Sequence, residues 1–329
     1  MIKTLVIDQK DAHLYSERNR LMVCHESFVH PISVSFTQMD SLVIGCGVTM
    51  SSTLLTKLAK CDITVSVLPT HRTGQACRLI GNFRGNVSRR VHQYQLCQSE
   101  ALRLAWATRL IRLKLRRQAL LLVKLSGHIS LSEDAMLQAV MDKLIHSYQG
   151  ITPTSLDSLR GVEGSSAQLF FGAYRRFFDQ KWRFVTRNRR PPKDPINVLL
   201  SLGYTLMTQL YEQSLYAIGL DPFLGILHDE TYGRQSLACD FAEIGRADIE
   251  AWVWQLVQDE EFDLEMFDFD GEYACTMNKA GRAVFYRHWV KLKPKLQRQA
   301  HRHAHIFLKR LTKTQTKLMF MQDLTKSGA

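Results

Sequence analysis

The feature that most constrains this chain is a change of residue pattern near residue 80. Before it, short runs of β-branched and apolar residues recur between turn-forming residues, which is typical of strands. These runs are Leu5–Asp8, Ile32–Phe36, Ser41–Val48 and Ile63–Leu68. One helix is predicted among them, with Ser51 and Ser52 as caps and an apolar face that reaches Ala59. After residue 80, apolar residues recur every three or four positions, as they do on helices.

This pattern predicts an α+β fold in which a small N-terminal β-rich domain precedes a larger all-α domain. We place the first domain at residues 1–80 and the helical domain at residues 93–329. A linker is expected at 81–92, because the stretch Gly81–Asn86 is rich in Gly and Asn. Helices are predicted near 91–125, 134–148, 163–186, 195–218, 240–257 and 278–323.

The charge balance indicates an anionic partner. Lys and Arg total 43 against 31 Asp and Glu, which gives a formal net charge of +12. Such a surface attracts polyanions through counterion release, although a basic protein without this role is the alternative. No apolar run approaches the ~18–20 residues that a bilayer crossing needs, and the N-terminus reads as a strand. We therefore expect a cytoplasmic protein without a membrane partner.

The predicted helix from about Val91 to Leu125 carries two faces. Arg109, Arg112 and Arg116 are spaced by three and four residues, so they share one face. This face is either solvated or in contact with phosphates. The predicted apolar stripe consists of Leu102, Trp106, Leu110 and Leu113.

Two segments each offer one candidate metal ligand. Glu163 lies between Gly161 and Gly164, near the predicted start of a helix, where a Glu that complements the helix dipole is the alternative. His228 ends a short apolar segment after a Gly-Leu-Asp-Pro turn. Its neutral imidazole can bind a divalent metal, and a buried, hydrogen-bonded His is the alternative.

A third segment contributes two carboxylates. Asp240 and Glu243 are three residues apart, so on a helix both point one way, although the spacing also fits a capping arrangement. Two carboxylates and one imidazole suit Mg²⁺ or Mn²⁺, because hard oxygen ligands favour these ions. The residues thus indicate metal-dependent phosphodiester chemistry on nucleic acid.

Four motifs, in the same order along the chain, resemble those of one family, the CRISPR-associated integrases. CRISPR adaptation uses two universal proteins, and the integrase is the first of them. The four motifs are Arg-Gly-Val-Glu-Gly at 160–164, Pro-Pro-Lys-Asp-Pro-Ile-Asn at 191–197 with Gly203-Tyr204, the segment Gly219–His228, and the segment Ser236–Arg246. The runs 43–45 and 63–68 and the late pair Gly281-Arg282 agree as well. One departure is Ala247, where the family often has Pro.

The resemblance implies a catalytic site in the helical domain. Glu163, His228 and Glu243 would hold Mg²⁺ or Mn²⁺. Asp240 would lie close to them as a further, supporting catalytic carboxylate. Asp240 stays open as the direct ligand in place of Glu243. We further expect DNA contacts from six residues: Arg109, Arg112, Arg116, Arg160, Tyr204 and Arg246.

The family's activity is the insertion of short foreign DNA fragments as new spacers into a CRISPR array. By resemblance, a 3′-hydroxyl attacks a phosphodiester at a repeat boundary. The implied assembly is a homodimer, formed through the N-terminal region, with two dimers flanking a dimer of the second adaptation protein on double-stranded DNA (prespacer and repeat). The alternatives are a metal-dependent repair nuclease that acts on branched DNA, and a non-catalytic DNA-binding scaffold whose carboxylates cap helices.

Overall fold

The computed structural model describes residues 4–39, 41–61, 63–67, 77–79, 87–127, 135–271 and 273–326. The chain forms two compact units. One comprises residues 1–83 with the short segment 286–291, and the other comprises 84–285 with 292–329. Among the described residues, no helix combines the length and apolar character that a membrane crossing requires.

The first unit contains two four-stranded sheets. Its strands are β1 (Thr4–Ile7), β2 (Ala12–Glu17), β3 (Arg20–Cys24), β4 (Ile32–Ser35), β5 (Ser41–Ile44), β6 (Val48–Met50), β7 (Thr64–Val67) and β8 (Cys77–Leu79). One sheet has the order β1-β5-β7-β8, in which β5 pairs in parallel with β1 and β7. The other has the order β4-β3-β2-β6, with antiparallel pairs except between β2 and β6.

Helix α1 (Ser52–Lys60) connects β6 to β7. It begins at Ser52 because the hydroxyl of Ser51 accepts a hydrogen bond from the backbone N–H of Leu54 at 3.2 Å. Leu54 and Leu58 on its inner face are fully buried. They join a core built from both sheets, in which Leu14 and Leu42 are also fully buried.

The sequence pattern did not predict the hairpin of β2 and β3. Its two turn residues, Arg18 and Asn19, have φ angles of 42° and 64°. Positive φ angles at both positions form a two-residue hairpin turn whose twist matches that of the two strands. Gly is the residue that usually indicates such a turn in a sequence. No Gly is present here, and Asn19 alone is a weaker signal of such a turn.

The second unit is mostly helical, and the predicted fold class is confirmed. Its helices are α2 (Val87–Gln98), α3 (Glu100–Ser126), α4 (Ala135–Gln149), α5 (Leu156–Tyr174), α6 (Pro195–Ala217), α7 (Ser236–Gln258) and α8 (Lys279–Lys326). The predicted linker differs from the structure, because residues 87–92 already belong to α2; residues 81–86 lie outside the described residues. Ser99 has extended backbone angles and divides the predicted first helix into α2 and α3.

A hairpin interrupts the helices of this unit. Strands β9 (Phe267–Asp270) and β10 (Ala274–Met277) pair antiparallel. The prediction of an all-α second domain is therefore wrong at this point. The strand β9 was not predicted because it contains Asp, which is uncommon in strands. Asp268 and Asp270 face solvent, while Phe267 is buried.

Helix α7 lies at the centre of the second unit, packed against α3 and α6. Close approach to α6 depends on glycine, because a Cβ on Gly203 would come within 2.8 Å of Cγ2 of Ile249. Helix α5 packs on the same α3. These contacts bring side chains of α3, α5 and α7 together, which sets the position of the site described next.

Candidate metal centre

Glu163 lies inside helix α5 and not at its start. The helix begins at Leu156, where the hydroxyl of Ser155 accepts a hydrogen bond from the N–H of Ser158 at 3.1 Å. Glu163 is therefore about two turns into the helix, and the alternative of a first-turn Glu that complements the dipole is wrong. Its side chain is 26% exposed, so the carboxylate is reachable from solvent.

His228 is oriented by Asp240. The carboxylate of Asp240 is fully buried and accepts hydrogen bonds from three successive backbone N–H groups, those of Ile226 (2.6 Å), Leu227 (2.9 Å) and His228 (3.1 Å). One of its oxygens also lies 2.5 Å from Nδ1 of His228. Since Nδ1 is engaged, Nε2 is the ring nitrogen that can bind a ligand.

A glycine permits this close packing. A Cβ on Gly225 would collide with the backbone oxygen of His228 and would lie 3.2 Å from a carboxylate oxygen of Asp240. The segment before His228 therefore requires Gly at this position, which gives a physical reason for one residue of the Gly219–His228 motif.

Two arginines hold the same segment from outside. Arg160 donates to the backbone oxygen of Leu227 at 2.8 Å and pairs with Asp229 at 2.6 Å. Arg103 donates to the backbone oxygen of Ile226 and pairs with Asp229, both at 2.8 Å. The hydrogen bond from Arg103, with that from Arg160, lowers the pKa of Asp229. Arg160, expected to contact DNA, is thus engaged in positioning the His228 segment.

Glu243 occupies a different environment, one turn further along α7. This helix begins at Ser236, so neither Asp240 nor Glu243 caps it, and the capping alternative is wrong. Glu243 is buried and forms ion pairs with Lys114 at 2.7 Å and Arg246 at 2.6 Å. Burial by itself raises the pKa of Glu243, but Arg246 and Lys114 outweigh it and lower the pKa to about 2.

Lys114 connects the two glutamates. Its ammonium contacts carboxylate oxygens of both Glu163 and Glu243, and its side chain is only 1% exposed. Lys114 was not among the predicted site residues. A signal was present, because Lys114 continues the stripe of Trp106 and Leu110 by four residues, whereas the predicted stripe residue Leu113 is 44% exposed.

A second polar network lies further along α7, around the buried Glu250. The hydroxyl of Tyr204 donates to its Oε1 at 2.8 Å, and Nε2 of Gln118 donates to the same oxygen at 2.9 Å. Burial raises the pKa of Glu250 to about 7. The Tyr204 ring also stacks with Arg246, whose guanidinium lies 4.8 Å from the ring centroid.

The DNA contacts predicted for Tyr204 and Arg246 do not fit this arrangement. Tyr204 is 9% exposed, and the side chain of Arg246 is 14% exposed. Both groups make their contacts inside the protein. On α3, Arg112 donates to the backbone oxygens of Tyr148 and Ile151, each at 3.1 Å, at the end of α4.

Arg109, Arg112 and Arg116 are all exposed, and the DNA contacts predicted for Arg112 and Arg160 stay predictions. Arg109 lies over the ring of Trp106 at 5.3 Å, and Arg116 faces solvent. Their DNA contacts stay a prediction.

The donors at this centre match a hard divalent ion in type. Glu163 and Glu243 offer carboxylate oxygens, and His228 offers Nε2. In the arrangement described, Lys114 lies between the two carboxylates. Within the described part of the chain, no group of three or more His, Cys, Asp or Glu side chains is close enough to hold a metal.

Comparison with known families decides the relationship. Residues 5–291 match the model of the CRISPR associated protein Cas1 family. The chain belongs to the Cas1 family. It is 32% identical over 297 residues to the CRISPR-associated endonuclease Cas1 1 of Thermodesulfovibrio yellowstonii, across 88% of this chain and 92% of that protein. The resemblance drawn from the motifs is confirmed.

Solved structures show the same fold at low identity. A Cas1 protein from Thermotoga maritima superposes with a TM-score of 0.80 at 19% identity, across 94% of this chain and 97% of that one. A casposase bound to integration product gives 0.77 at 19% identity, across 94% and 91%. A chain of the Cas6-RT-Cas1–Cas2 complex gives 0.78 at 23% identity, across 95% of this chain and 35% of that chain.

Proposed function

We propose that this Cas1 protein is a metal-dependent DNA integrase and endonuclease, which inserts short foreign DNA fragments as new spacers into a CRISPR array. One observation carries the proposal: Glu163 and Glu243, from different helices, converge on a single cation, that of Lys114. A site that gathers two carboxylates around one positive charge has the electrostatics that a divalent ion needs. The family membership supplies the DNA substrate.

Glu163, His228 and Glu243 are the proposed ligands of Mg²⁺ or Mn²⁺. When bound, the ion would stabilise the charge that develops on the transferring phosphoryl group. Asp240 acts through His228, because its hydrogen bond to Nδ1 fixes the ring and presents Nε2. Arg246 holds the carboxylate of Glu243 ionised from its other side. Glu243 is therefore our choice over Asp240 as the direct ligand.

The proposed reaction is a transesterification. The 3′-oxygen of a captured fragment forms a bond to the phosphorus at a repeat boundary, and the bond from that phosphorus to the 3′-oxygen of the repeat strand breaks. The proton lost by the attacking hydroxyl balances the one gained by the leaving oxygen. The number of phosphodiester bonds is unchanged, so the reaction needs no external energy source.

The positive charge supports binding to the DNA backbone. The net charge of +12 and the exposed Arg109 and Arg116 are suited to phosphates and read no sequence. Binding to the prespacer and the repeat should therefore weaken steeply as salt rises.

The proposed assembly comprises two homodimers and a dimer of the second adaptation protein. The N-terminal β-rich region would form the homodimer contact, as the family resemblance implies. The similarity to a chain of the Cas6-RT-Cas1–Cas2 complex supports Cas2 as that second protein.

A DNA endonuclease of repair is the second candidate, because the relatives are named as endonucleases. It uses the same centre with water in place of the 3′-hydroxyl. This candidate predicts efficient cutting of branched DNA without Cas2 and no preference for a repeat. Integration predicts joined products at repeat boundaries that depend on Cas2.

The test is a strand-transfer assay with a labelled fragment, a repeat-bearing plasmid and purified Cas2. Glu163→Gln and His228→Ala should each abolish joining while duplex binding and the unfolding temperature stay near those of the wild type. Glu265→Gln, an exposed glutamate of the same unit, is the matched control. Wild-type joining by either active-site variant would exclude the proposed centre.

A further inference from the structure

Lys114 is a cation in an unusual place for a lysine. Its side chain is 1% exposed, although lysine is almost never fully buried unless it is paired. Both of its carboxylate partners, Glu163 and Glu243, are the oxygen ligands proposed for the metal. The ammonium thus lies between the two carboxylates that would hold a divalent ion.

The three groups depend on each other electrostatically. A buried ammonium without a partner is strongly unfavourable. Two carboxylates that face each other without a cation repel, and one of them tends to take up a proton. Lys114 satisfies both conditions at once, since its ammonium is paired and it offsets the repulsion between Glu163 and Glu243.

The two cations on Glu243 have different roles. Arg246 contacts Oε1 of Glu243 at 2.6 Å, and its guanidinium is also stacked on the Tyr204 ring at 4.8 Å. Lys114 contacts the other oxygen, Oε2, at 2.7 Å. Arg246 is a planar group held in one orientation by its ion pair and the ring, whereas Lys114, although it also has two partners, is a point charge on a flexible four-carbon stem that can shift. Oε2 is therefore the oxygen that can exchange one cation for another.

We propose that Lys114 is the resident counter-ion of this centre: its ammonium holds Glu163 and Glu243 in place until a divalent ion takes its position and displaces it. This inference rests on the proposed metal site and adds a positioning residue to it. In the metal-free protein, Lys114 pre-organises the two carboxylates. On loading, it competes with the ion for the same oxygens.

Replacement of Lys114 should change stability and metal affinity in opposite directions, because the lysine both holds the carboxylates and competes with the ion. Lys114→Met keeps the length of the side chain and removes the charge. The metal-free variant should unfold at a lower temperature, because Glu163 and the buried Glu243 lose their shared cation. Its affinity for Mn²⁺ should rise by about tenfold or more, because the ion no longer has to displace a charge. A purely structural lysine predicts that stability and affinity both fall.

Lys114→Arg provides a second, independent variant. It retains the charge and has a planar fork that binds carboxylates through two hydrogen bonds, so it is harder to displace. Its affinity for Mn²⁺ should fall by about tenfold. This variant keeps the inference testable even where Lys114→Met does not fold. Lys124→Met, on the exposed face of α3, is the matched control and should behave as the wild type.

The experiment is isothermal titration of the metal-free full-length protein with MnCl₂, together with thermal unfolding in EDTA and in Mn²⁺. Glu163→Gln identifies the site, because its binding should be lost. Opposite changes of affinity in Lys114→Met and Lys114→Arg support the inference. Unchanged or weaker binding by Lys114→Met, or unchanged binding by Lys114→Arg, overturns it while the metal site stands. A wild-type protein that binds no Mn²⁺ at Glu163 overturns both.

Discussion

Helix α7 carries two buried glutamates two turns apart, and their surroundings shift their pKa values in opposite directions. Glu243 contacts two cations, Lys114 and Arg246, and its pKa is about 2. Glu250 contacts neutral donors, the hydroxyl of Tyr204 and the amide of Gln118, and burial raises its pKa to about 7. The same residue type on one helix thus forms a permanent anion at position 243 and a proton-binding group at position 250.

The difference shows how one helix serves both chemistry and stability. A carboxylate that stays ionised at every working pH is suited to a metal ion. Oε2 of Glu250 has no hydrogen-bond partner within the described part of the chain, which favours a protonated carboxyl there. Tyr204 and Arg246 connect the two glutamates. The Tyr204 hydroxyl donates to Glu250, and the Arg246 guanidinium lies on the Tyr204 ring and pairs with Glu243.

Removal of the permanent anion should have the largest effect. Glu243→Gln keeps the shape of the side chain but removes the negative charge between Lys114 and Arg246. We expect strand transfer to fall by roughly 100- to 1000-fold, since charge at the reacting centre contributes most to such reactions. The rate of joining under single-turnover conditions measures it. A near-normal rate of joining would contradict the proposal that the negative charge of Glu243 acts in the reaction.

Asp240 provides a finer test of the same region. Asp240→Asn weakens the hydrogen bond to Nδ1 of His228 without removing a proposed ligand. We expect a loss of about 10- to 100-fold, as is usual for groups that orient a ligand, with partial recovery at high Mn²⁺. Activity should be measured against Mn²⁺ concentration for Asp240→Asn and Glu243→Gln side by side. Recovery of Glu243→Gln alone would reverse our assignment of the two carboxylates.

Glu250 should control the dependence of stability on pH. Its folded-state pKa is raised, so the unfolded chain loses this proton near the ordinary pKa of 4.5 and the folded chain near 7. Stability from this group is full below about 4.5 and is lost as pH rises to 7. Glu250→Gln should remove this pH-dependent part of the free energy of unfolding, which is on the order of 1–3 kcal/mol. Urea unfolding across that pH range measures it, and an unchanged pH dependence contradicts the assignment.

Replacement of Tyr204 should have the smallest effect. Tyr204→Phe removes the hydroxyl that donates to Glu250 and leaves the ring that stacks with Arg246. Stability should fall by about 1 kcal/mol. DNA affinity should stay within a factor of about two, because the side chain is buried. A clear loss of DNA binding at unchanged stability would restore the original expectation that Tyr204 contacts DNA.

Part of this arrangement could be predicted from the sequence. The change of pattern near residue 80 predicted the fold class, and the four motifs predicted the family. The carboxylates of α7 were found because Asp240 and Glu243 are three residues apart on a helix. Helix α5 was placed seven residues too late, because its cap, Ser155, precedes a segment of mixed polar and apolar residues.

The contacts that define the site could not be predicted from local pattern. The spacing of Lys114 from Trp106 and Leu110 places it on the buried stripe of α3, but the sequence does not show which carboxylates of other helices it contacts. Burial of Arg246 and Tyr204 depends on the packing of α6 against α7, which is tertiary information. Charged residues in a basic helix therefore remain ambiguous until their partners on other helices are known.

The central claim is that Glu163, His228 and Glu243 together hold a divalent ion. Pulsed electron paramagnetic resonance of bound Mn²⁺ tests it most directly, because a coordinated imidazole produces a nitrogen modulation. The wild-type protein should show this modulation, and His228→Ala should lose it while the carboxylates retain a weaker ion. Bound Mn²⁺ without nitrogen coupling in the wild type, or with the same coupling in His228→Ala, would contradict the claim.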